Sequence, residues 1–125
     1  MMKSGFICYS TFPYFDISTR KNQFKKRPVL VLAKADSGDY NVLPISTITA
    51  TQHIDADYDI KVDPLNYPKL KLSKVSYVRV HKQSTAYESS LSFVSDMKKE
   101  YPDLFLKILE ILEEYNKKIM NECLT

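Results

Sequence analysis

The chain has 125 residues, a hydrophobic share of 44%, a charged share of 26% and a net charge of +3. These values are typical of one globular domain over residues 1–125, and they exclude disordered, collagen-like and membrane compositions. The uncharged apolar runs are far shorter than the ~20 residues that span a bilayer. The N-terminal residues lack the apolar segment of a signal peptide, so we expect a cytoplasmic protein.

Five segments have the pattern of β-strands. Residues 6–12 alternate with a period of two, and residues 27–33 form a β-branched and aliphatic run that ends at the hairpin turn Asp36-Ser37-Gly38-Asp39. Residues 40–48 resume the pattern, with Pro44 marking an edge, a bulge or a bend. Residues 58–62 and 73–82 complete a predicted sheet of about five strands.

Residues 13–26 separate the first two strands and have no sustained apolar period, so we predict a long mobile loop with a binding role. Basic and aromatic side chains are mixed in it: Arg20, Lys21, Lys25 and Lys26 with Tyr14, Phe15 and Phe24. Single-stranded nucleic acid is bound by this combination, because the cations attract phosphates and the rings stack on bases. A solvated loop with an aromatic anchor is the alternative.

The C-terminal segment is predicted to be a helix. Pro102 suits a first helical turn, and apolar residues then recur at spacings of three and four, at Leu104, Ile108, Ile111, Tyr115 and Ile119. The helix should pack on the sheet by that face. A shorter helix is expected over residues 93–100. Strands first and a helix last indicate an α+β or small-barrel domain and disfavour alternating βαβ units.

Polar residues beside the apolar strands are the candidates for chemistry. Arg27 precedes Pro28, and Ser46-Thr47 follow Pro44-Ile45 near the end of the third strand. Arg79 and His81 are two residues apart on the predicted fifth strand, so they should share a face about 6 to 7 Å apart. An arginine can bind a phosphate, and a histidine can take the proton of a 2′-hydroxyl. The set is sufficient for metal-independent RNA cleavage, although each residue alone is more often a cap, a turn or a structural histidine.

Other enzyme classes are disfavoured. The two histidines, His53 and His81, are far apart and have no acidic cluster at a ligand spacing, so we expect no metal. The two glycines are too few for a P-loop or a dinucleotide fingerprint, and no GxSxG elbow is present, so no cofactor and no serine hydrolase are predicted. Cys8 and Cys123 have no CxxC spacing and are predicted to be reduced.

The order of motifs resembles that of the MazF/PemK toxins over nearly the whole chain. The matching segments are Gly5 to Phe12-Pro13, Lys26 to Leu32, Leu43 to Thr47 and Leu72 to Arg79. The resemblance implies an SH3-like barrel with a C-terminal helix and a homodimer with an RNA groove at its interface. It also implies cofactor-free cleavage of single-stranded RNA to 2′,3′-cyclic phosphate and 5′-hydroxyl ends, and a cognate antitoxin that competes with RNA at the basic loop.

The resemblance also implies residue roles. Arg27 falls on the catalytic arginine of the Arg-Pro motif, Ser46 on a phosphate-holding hydroxyl and Thr47 on its polar neighbour. Arg79 falls on a second arginine that some members use as acid or phosphate clamp. Phe6 replaces a usual acidic residue and His81 stands where some members have an Asp base, so the base is open. A degenerate SH3-like binding module and a toxin that targets DNA or gyrase are the alternatives.

Overall fold

The computed structural model describes the whole chain except the side chains of residues 12–14. What the sequence predicted for the side chains of Phe12, Pro13 and Tyr14 therefore lies outside the described residues. The protein is a small α+β domain in which an antiparallel sheet curls into a half-barrel and a long helix follows at the C-terminus. Within the described chain, no helix combines the length and apolar character needed to cross a bilayer.

The described chain contains seven strands and two helices, which exceeds the predicted count of about five strands. The bounds are β1 Phe6–Asp16, β2 Lys21–Asp36, β3 Asp39–Ser46, β4 Asp59–Val62, β5 Ser76–Arg79, β6 Ser84–Tyr87, β7 Leu91–Asp96, α1 Met97–Glu100 and α2 Pro102–Leu124. Short 3₁₀ turns cover Thr51–His53, Pro68–Leu70, Val80–Lys82 and Glu88–Ser90. The strand order is β4-β5-β3-β2-β1-β7, and β6 pairs with β3.

The predicted loop over residues 13–26 is wrong, because β1 and β2 continue as an antiparallel hairpin as far as the pair Asp16 and Lys21. Asp16 holds the turn: its Oδ1 accepts hydrogen bonds from the Ser18 backbone N–H at 2.9 Å and the Ser18 hydroxyl at 2.7 Å. Arg20 adopts a positive φ of 55° there. Most described residues of this hairpin end are exposed. The strands are held here by backbone pairing, and they have no buried apolar face that would give the sequence a strand pattern.

The predicted helix over residues 93–100 is also wrong over its first part, where β7 pairs with β1 as far as Asp96. Only Met97–Glu100 is helical, and the Asp96 carboxylate caps it by accepting the Lys99 backbone N–H at 3.1 Å. Gly5 lies against this turn with a φ of 94°, where a Cβ atom would overlap Lys98. The chain therefore requires glycine at this crossing.

The main core lies between α2 and one face of the curled sheet. Leu104 and Ile108 are buried in α2 as the spacing predicted, and with Phe105 they pack against strand residues such as Ile45, Ile60 and Val78. Ile119, predicted to lie on the same packed face, is 40% exposed, because α2 extends past the sheet at its C-terminal end. A second, smaller cluster lies on the opposite face of β1, β2 and β3; it contains Cys8, Val29, Val31, Tyr40, Val42, Ala86 and Leu91. Burial raises the pKa of the Cys8 thiol to about 11.

Candidate nucleic-acid interface

A groove opens where β2 separates from β3. The ladder between these strands starts at Val29 opposite Pro44, so the first half of β2 pairs with β1 alone. Pro44 lies at that end of the ladder, not in its middle. Three adjoining cavities, of about 330, 330 and 240 Å³, share Pro28 at the point of separation. We call them together the Arg27 groove.

The Arg27 groove is cationic. Its charged lining residues are Lys25, Lys26, Arg27 and Lys74, and no carboxylate occurs among the described residues that line it. All four are exposed. The side chains of Arg27 and Lys26 form no hydrogen bond or ion pair with a described residue. Clustered charges of one sign in a concave surface focus the field on an incoming ion of opposite sign.

Hydroxyl groups surround Arg27 in the groove. Ser46, the last residue of β3, is half-buried, and Thr47 directly after it is exposed. Both line the same cavity as Lys26 and Arg27. The structure thus brings together five predicted site residues: Lys25, Lys26, Arg27, Ser46 and Thr47. A guanidinium with two hydroxyls beside it matches the donors that bind a phosphodiester.

The other two predicted catalytic residues, Arg79 and His81, converge elsewhere. The prediction that they lie on one strand is wrong, because β5 ends at Arg79 and residues 80–82 form a 3₁₀ turn. The Val80 backbone N–H donates to the Tyr58 carbonyl at 3.0 Å, which draws the chain out of the ladder. Neither residue is among the lining of the Arg27 groove.

Arg79 and His81 meet at the carboxylate of Asp59, whose side chain is fully buried. Arg79 Nε donates to Asp59 Oδ1 at 3.1 Å, and Asp59 Oδ2 accepts the Asp55 backbone N–H at 2.8 Å. His81 Nδ1 is buried without a hydrogen-bond partner among the described atoms, 3.8 Å from Asp59 Oδ1. We call Asp55, Asp59, Arg79 and His81, with the neighbouring rings of Tyr58 and Tyr115, the Asp59 cluster.

The loop before β4 supports this cluster. Asp55 Oδ1 accepts the backbone N–H groups of Asp57 at 2.9 Å and Tyr58 at 3.0 Å. The hydrogen bond from the Asp57 backbone is the largest cause of a lowered Asp55 pKa, and the charges of His81 and Lys118 act in the same direction. The loop is thereby fixed so that Asp59 faces Arg79 across the pair of strands.

Arg79 nevertheless faces the same side of the sheet as Ser46. Ser46 pairs with Tyr77, and Arg79 is two residues further along β5, so Arg79 is a diagonal neighbour of Ser46 about 7 to 8 Å away. Its side chain is 26% exposed. The guanidinium is held by Asp59 through Nε, which leaves the two terminal nitrogens for an anion at the edge of the groove.

The far end of the hairpin carries the remaining predicted residues. Lys21 pairs with Asp16, and Arg20 lies in the turn. Both are therefore about 20 Å from Arg27 by strand geometry, and the structure does not bring them to the groove. Phe24 and Phe15 are 71% and 60% exposed and lie on one face of the hairpin. Neither ring belongs to a hydrophobic core cluster of the described residues.

Sequence reasoning missed several residues of both sites. Lys74, Ser76 and Ser84 line the groove, but they come from a loop, a buried strand position and an edge strand. Asp59 was missed because it belongs to an ordinary alternating strand. The available signal was a charged residue at a buried position, opposite an arginine on the paired strand. His53, the second histidine, is exposed and belongs to neither site.

Comparison with known proteins adds no relative: no protein-family model matches the chain, and no curated protein matches it. Within the described part of the chain, no group of three or more His, Cys, Asp or Glu comes together in a way that would hold a metal ion. Function is therefore inferred from the geometry of the Arg27 groove and the Asp59 cluster.

Proposed function

We propose that the chain is a sequence-selective, metal-independent endoribonuclease toxin of the MazF/PemK type, acting on single-stranded RNA. The curled half-barrel with a C-terminal helix is compatible with the SH3-like barrel of that family. The motif resemblance supports the proposed reaction, and the cations and hydroxyls of the Arg27 groove support the proposed position of the site. Cytoplasmic action, a homodimer and a cognate antitoxin belong to the same proposal.

One observation carries the proposal: Arg27 and Ser46 lie side by side in a groove whose described charged residues are all cations. A polyanion gains from every one of these charges. An arginine with no described partner also retains all its donors for a phosphate. Like charges gathered in one concave surface repel each other, and a bound anion offsets that repulsion.

The proposed reaction is an internal displacement at phosphorus. The 2′-oxygen gives its proton to water as it forms a bond to phosphorus, the bond from phosphorus to the 5′-oxygen breaks, and that oxygen takes a proton from water. Arg27 stabilises the charge that develops on the non-bridging oxygens, with Ser46 as a neutral donor and Arg79 as a second cation. His81 Nδ1 is buried and faces Asp59 Oδ1, so we assign His81 to the support of Asp59 and Arg79.

The partners follow from charge. The Glu-rich end of an antitoxin would meet the same cations as RNA, so binding of one should exclude the other. These partners are expectations of the proposal and are tested by co-expression and sedimentation.

Product mapping tests the proposed function. A long single-stranded RNA is incubated with the protein in EDTA, and the ends are identified by direct 5′ phosphorylation with a kinase and by resistance of the cyclic phosphate to periodate. Discrete cuts with 5′-hydroxyl ends that disappear with Arg27→Ala would support the proposal. Intact RNA, or equal cutting by Arg27→Ala, would overturn it.

A second candidate is a binding module without cleavage, and the Asp59 cluster favours it. His81 Nδ1 points at a buried carboxylate instead of the groove, so the described groove lacks a side chain with a pKa near neutrality. Such a protein would bind RNA, DNA or an antitoxin and leave RNA intact. Competition between RNA and DNA of equal length in the same assay separates an RNA-directed protein from one that targets DNA or gyrase.

A further inference from the structure

A straight row of polar side chains crosses the sheet from the Arg27 groove to its far edge. Ser46 on β3 pairs with Tyr77 on β5, and Tyr77 pairs with Lys61 on β4. Arg27 and Ser46 line the same groove, each two residues beyond the last β2–β3 pair, Val29 and Pro44. Paired residues in a sheet project from the same face. We call this set, Arg27, Ser46, Tyr77 and Lys61, the Arg27–Lys61 row.

The row lies on the face of the sheet that α2 does not cover. Residues one position away, Ile45, Ile60 and Val78, project from the opposite face and form the main core with α2. Lys61 is exposed and Tyr77 is half-buried. No described residue forms a side-chain hydrogen bond or ion pair with either of them. The row is therefore an open strip that no described element occupies.

The charge along the row has one sign. Arg27 and Lys61 are the cations at its two ends, and Asp59, the nearest carboxylate on β4, is buried and bound by Arg79. The two paired-strand steps, from Ser46 to Tyr77 and from Tyr77 to Lys61, are each about 4.8 Å and together give about 10 Å, and Arg27 lies beyond Ser46 across the groove. Successive charges along one nucleic-acid strand are about 3.4 Å apart in a duplex. The row is therefore long enough to contact more than one phosphate.

We infer that the Arg27–Lys61 row is a binding track for the backbone of single-stranded RNA, with one phosphate at Arg27 and Ser46 and another at Lys61. The ring of Tyr77 lies between them and stacks on a base. Alternation of cation and ring is the arrangement by which proteins hold single strands without reading their sequence. The inference rests on the proposed function in that it extends the same groove, and it assigns affinity, not cleavage, to Lys61 and Tyr77.

The test measures binding of a fluorescein-labelled 2′-O-methyl RNA decamer, which lacks the 2′-hydroxyl needed for cleavage, by anisotropy across a series of salt concentrations. Lys61→Ala should weaken binding several-fold and reduce the slope of log affinity against log salt by about 0.7, the value for one lost phosphate contact on a single strand. Lys107→Ala is the matched control, because Lys107 is an exposed lysine on α2, on the other side of the sheet.

Tyr77 is tested by two substitutions. Tyr77→Leu should weaken binding about fivefold or more, because a stacked base is lost, whereas Tyr77→Phe should bind as the parent does. Circular dichroism and thermal unfolding of each variant identify any loss that comes from misfolding. Equal loss with Leu and Phe would show that the ring does not stack and would overturn this part of the track.

The outcomes separate the track from the proposed function. If RNA binding depends on Lys61 and Tyr77 but unmodified RNA stays intact, the proposed cleavage is overturned and the binding track is supported. Cleavage together with equal affinity and salt slope for Lys61→Ala and Lys107→Ala would overturn the track and leave cleavage standing. Failure of the parent protein to bind the decamer, with Lys61-dependent binding of poly-glutamate instead, would assign the strip to an acidic protein and overturn the track.

Discussion

The two arginine sites of this protein have opposite designs. Arg27 stands in an open groove among other cations, with no described partner. Arg79 is fixed by a fully buried carboxylate, which a backbone N–H also holds. An anchored guanidinium contributes mostly to the fold and to the orientation of its remaining donors, whereas an unanchored one contributes little to stability and is available to a ligand. The difference predicts which substitutions affect activity and which affect folding.

Arg27→Ala should have the largest effect on activity. Removal of a donor to the developing charge typically costs about 10²- to 10³-fold in rate, and we expect that loss in cleavage of a long RNA. The free energy of unfolding in urea should stay within about 0.5 kcal/mol of that of the parent, because the side chain is exposed and unpartnered among described residues. Arg27→Lys retains the charge but not the planar guanidinium that can bind two oxygens at once, so its cleavage rate should lie between those of the parent and Arg27→Ala. A large loss of stability would contradict the contrast.

Asp59→Ala should have the largest effect on folding. It leaves Arg79 Nε and the Asp55 backbone N–H without their acceptor, at a cost of about 2 kcal/mol in the free energy of unfolding, since part of the Arg79 side chain is in solvent. Urea denaturation at neutral pH measures this cost. Asp57→Ala is the matched control, because Asp57 is exposed in the same loop. Equal stability of the two variants would show that the cluster does not anchor the sheet.

Phe24→Ala tests whether the hairpin belongs to the open site. Its ring is 71% exposed, so its removal should not change the thermal midpoint. It should weaken binding of the 2′-O-methyl RNA decamer by about fivefold, the lower range for one stacked base. Leu106→Ala on α2, which removes another exposed apolar side chain, should leave binding unchanged. Equal binding by both variants would separate the hairpin from RNA recognition.

Acid should destabilise the Asp59 cluster before it changes the charge of the Arg27 groove. This effect on stability should be smaller than that of Asp59→Ala. The pKa of Asp55 is lowered in the folded protein from its ordinary 3.8. Its contribution to stability is therefore complete above pH 3.8 and is lost as the pH falls through the lowered folded value. The Asp55 side chain is only half-buried and solvent screens its charge, so the contribution is less than about 1 kcal/mol. Asp55→Asn should flatten stability against pH in that range; an unchanged slope would contradict this account.

The sequence predicted those elements that bury an apolar face. The helix over Pro102–Leu124 repeats its apolar residues with the helical period, and the strand through Val29 to Leu32 is a continuous aliphatic run. The end of the hairpin between β1 and β2 buries little on either face, so its side chains show no period and it was predicted as a loop. The 3₁₀ turn that moves His81 out of β5 depends on a hydrogen bond from Val80 to Tyr58, which no local pattern reveals.

The candidate site was predictable to a similar degree. Lys26, Arg27, Ser46 and Thr47 were identified because they lie next to apolar strands, and the meeting of β2 and β3 brings them together. Asp59, Lys74 and Lys61 depend on cross-strand register, which is set by the whole sheet. The division of the two arginines between an open and a closed site was therefore beyond the reach of motif spacing.

The most direct test of the account locates bound RNA on the protein. Backbone amide signals are followed by NMR as the 2′-O-methyl RNA decamer is added at low salt. The account predicts that the largest shifts fall on residues 25–27, 46–47 and 74–77 and on Lys61, with small shifts at Asp55, Tyr58 and Tyr115. Shifts centred on the Asp59 cluster, with none at Arg27 and Ser46, would contradict the claim that the open groove is the nucleic-acid site.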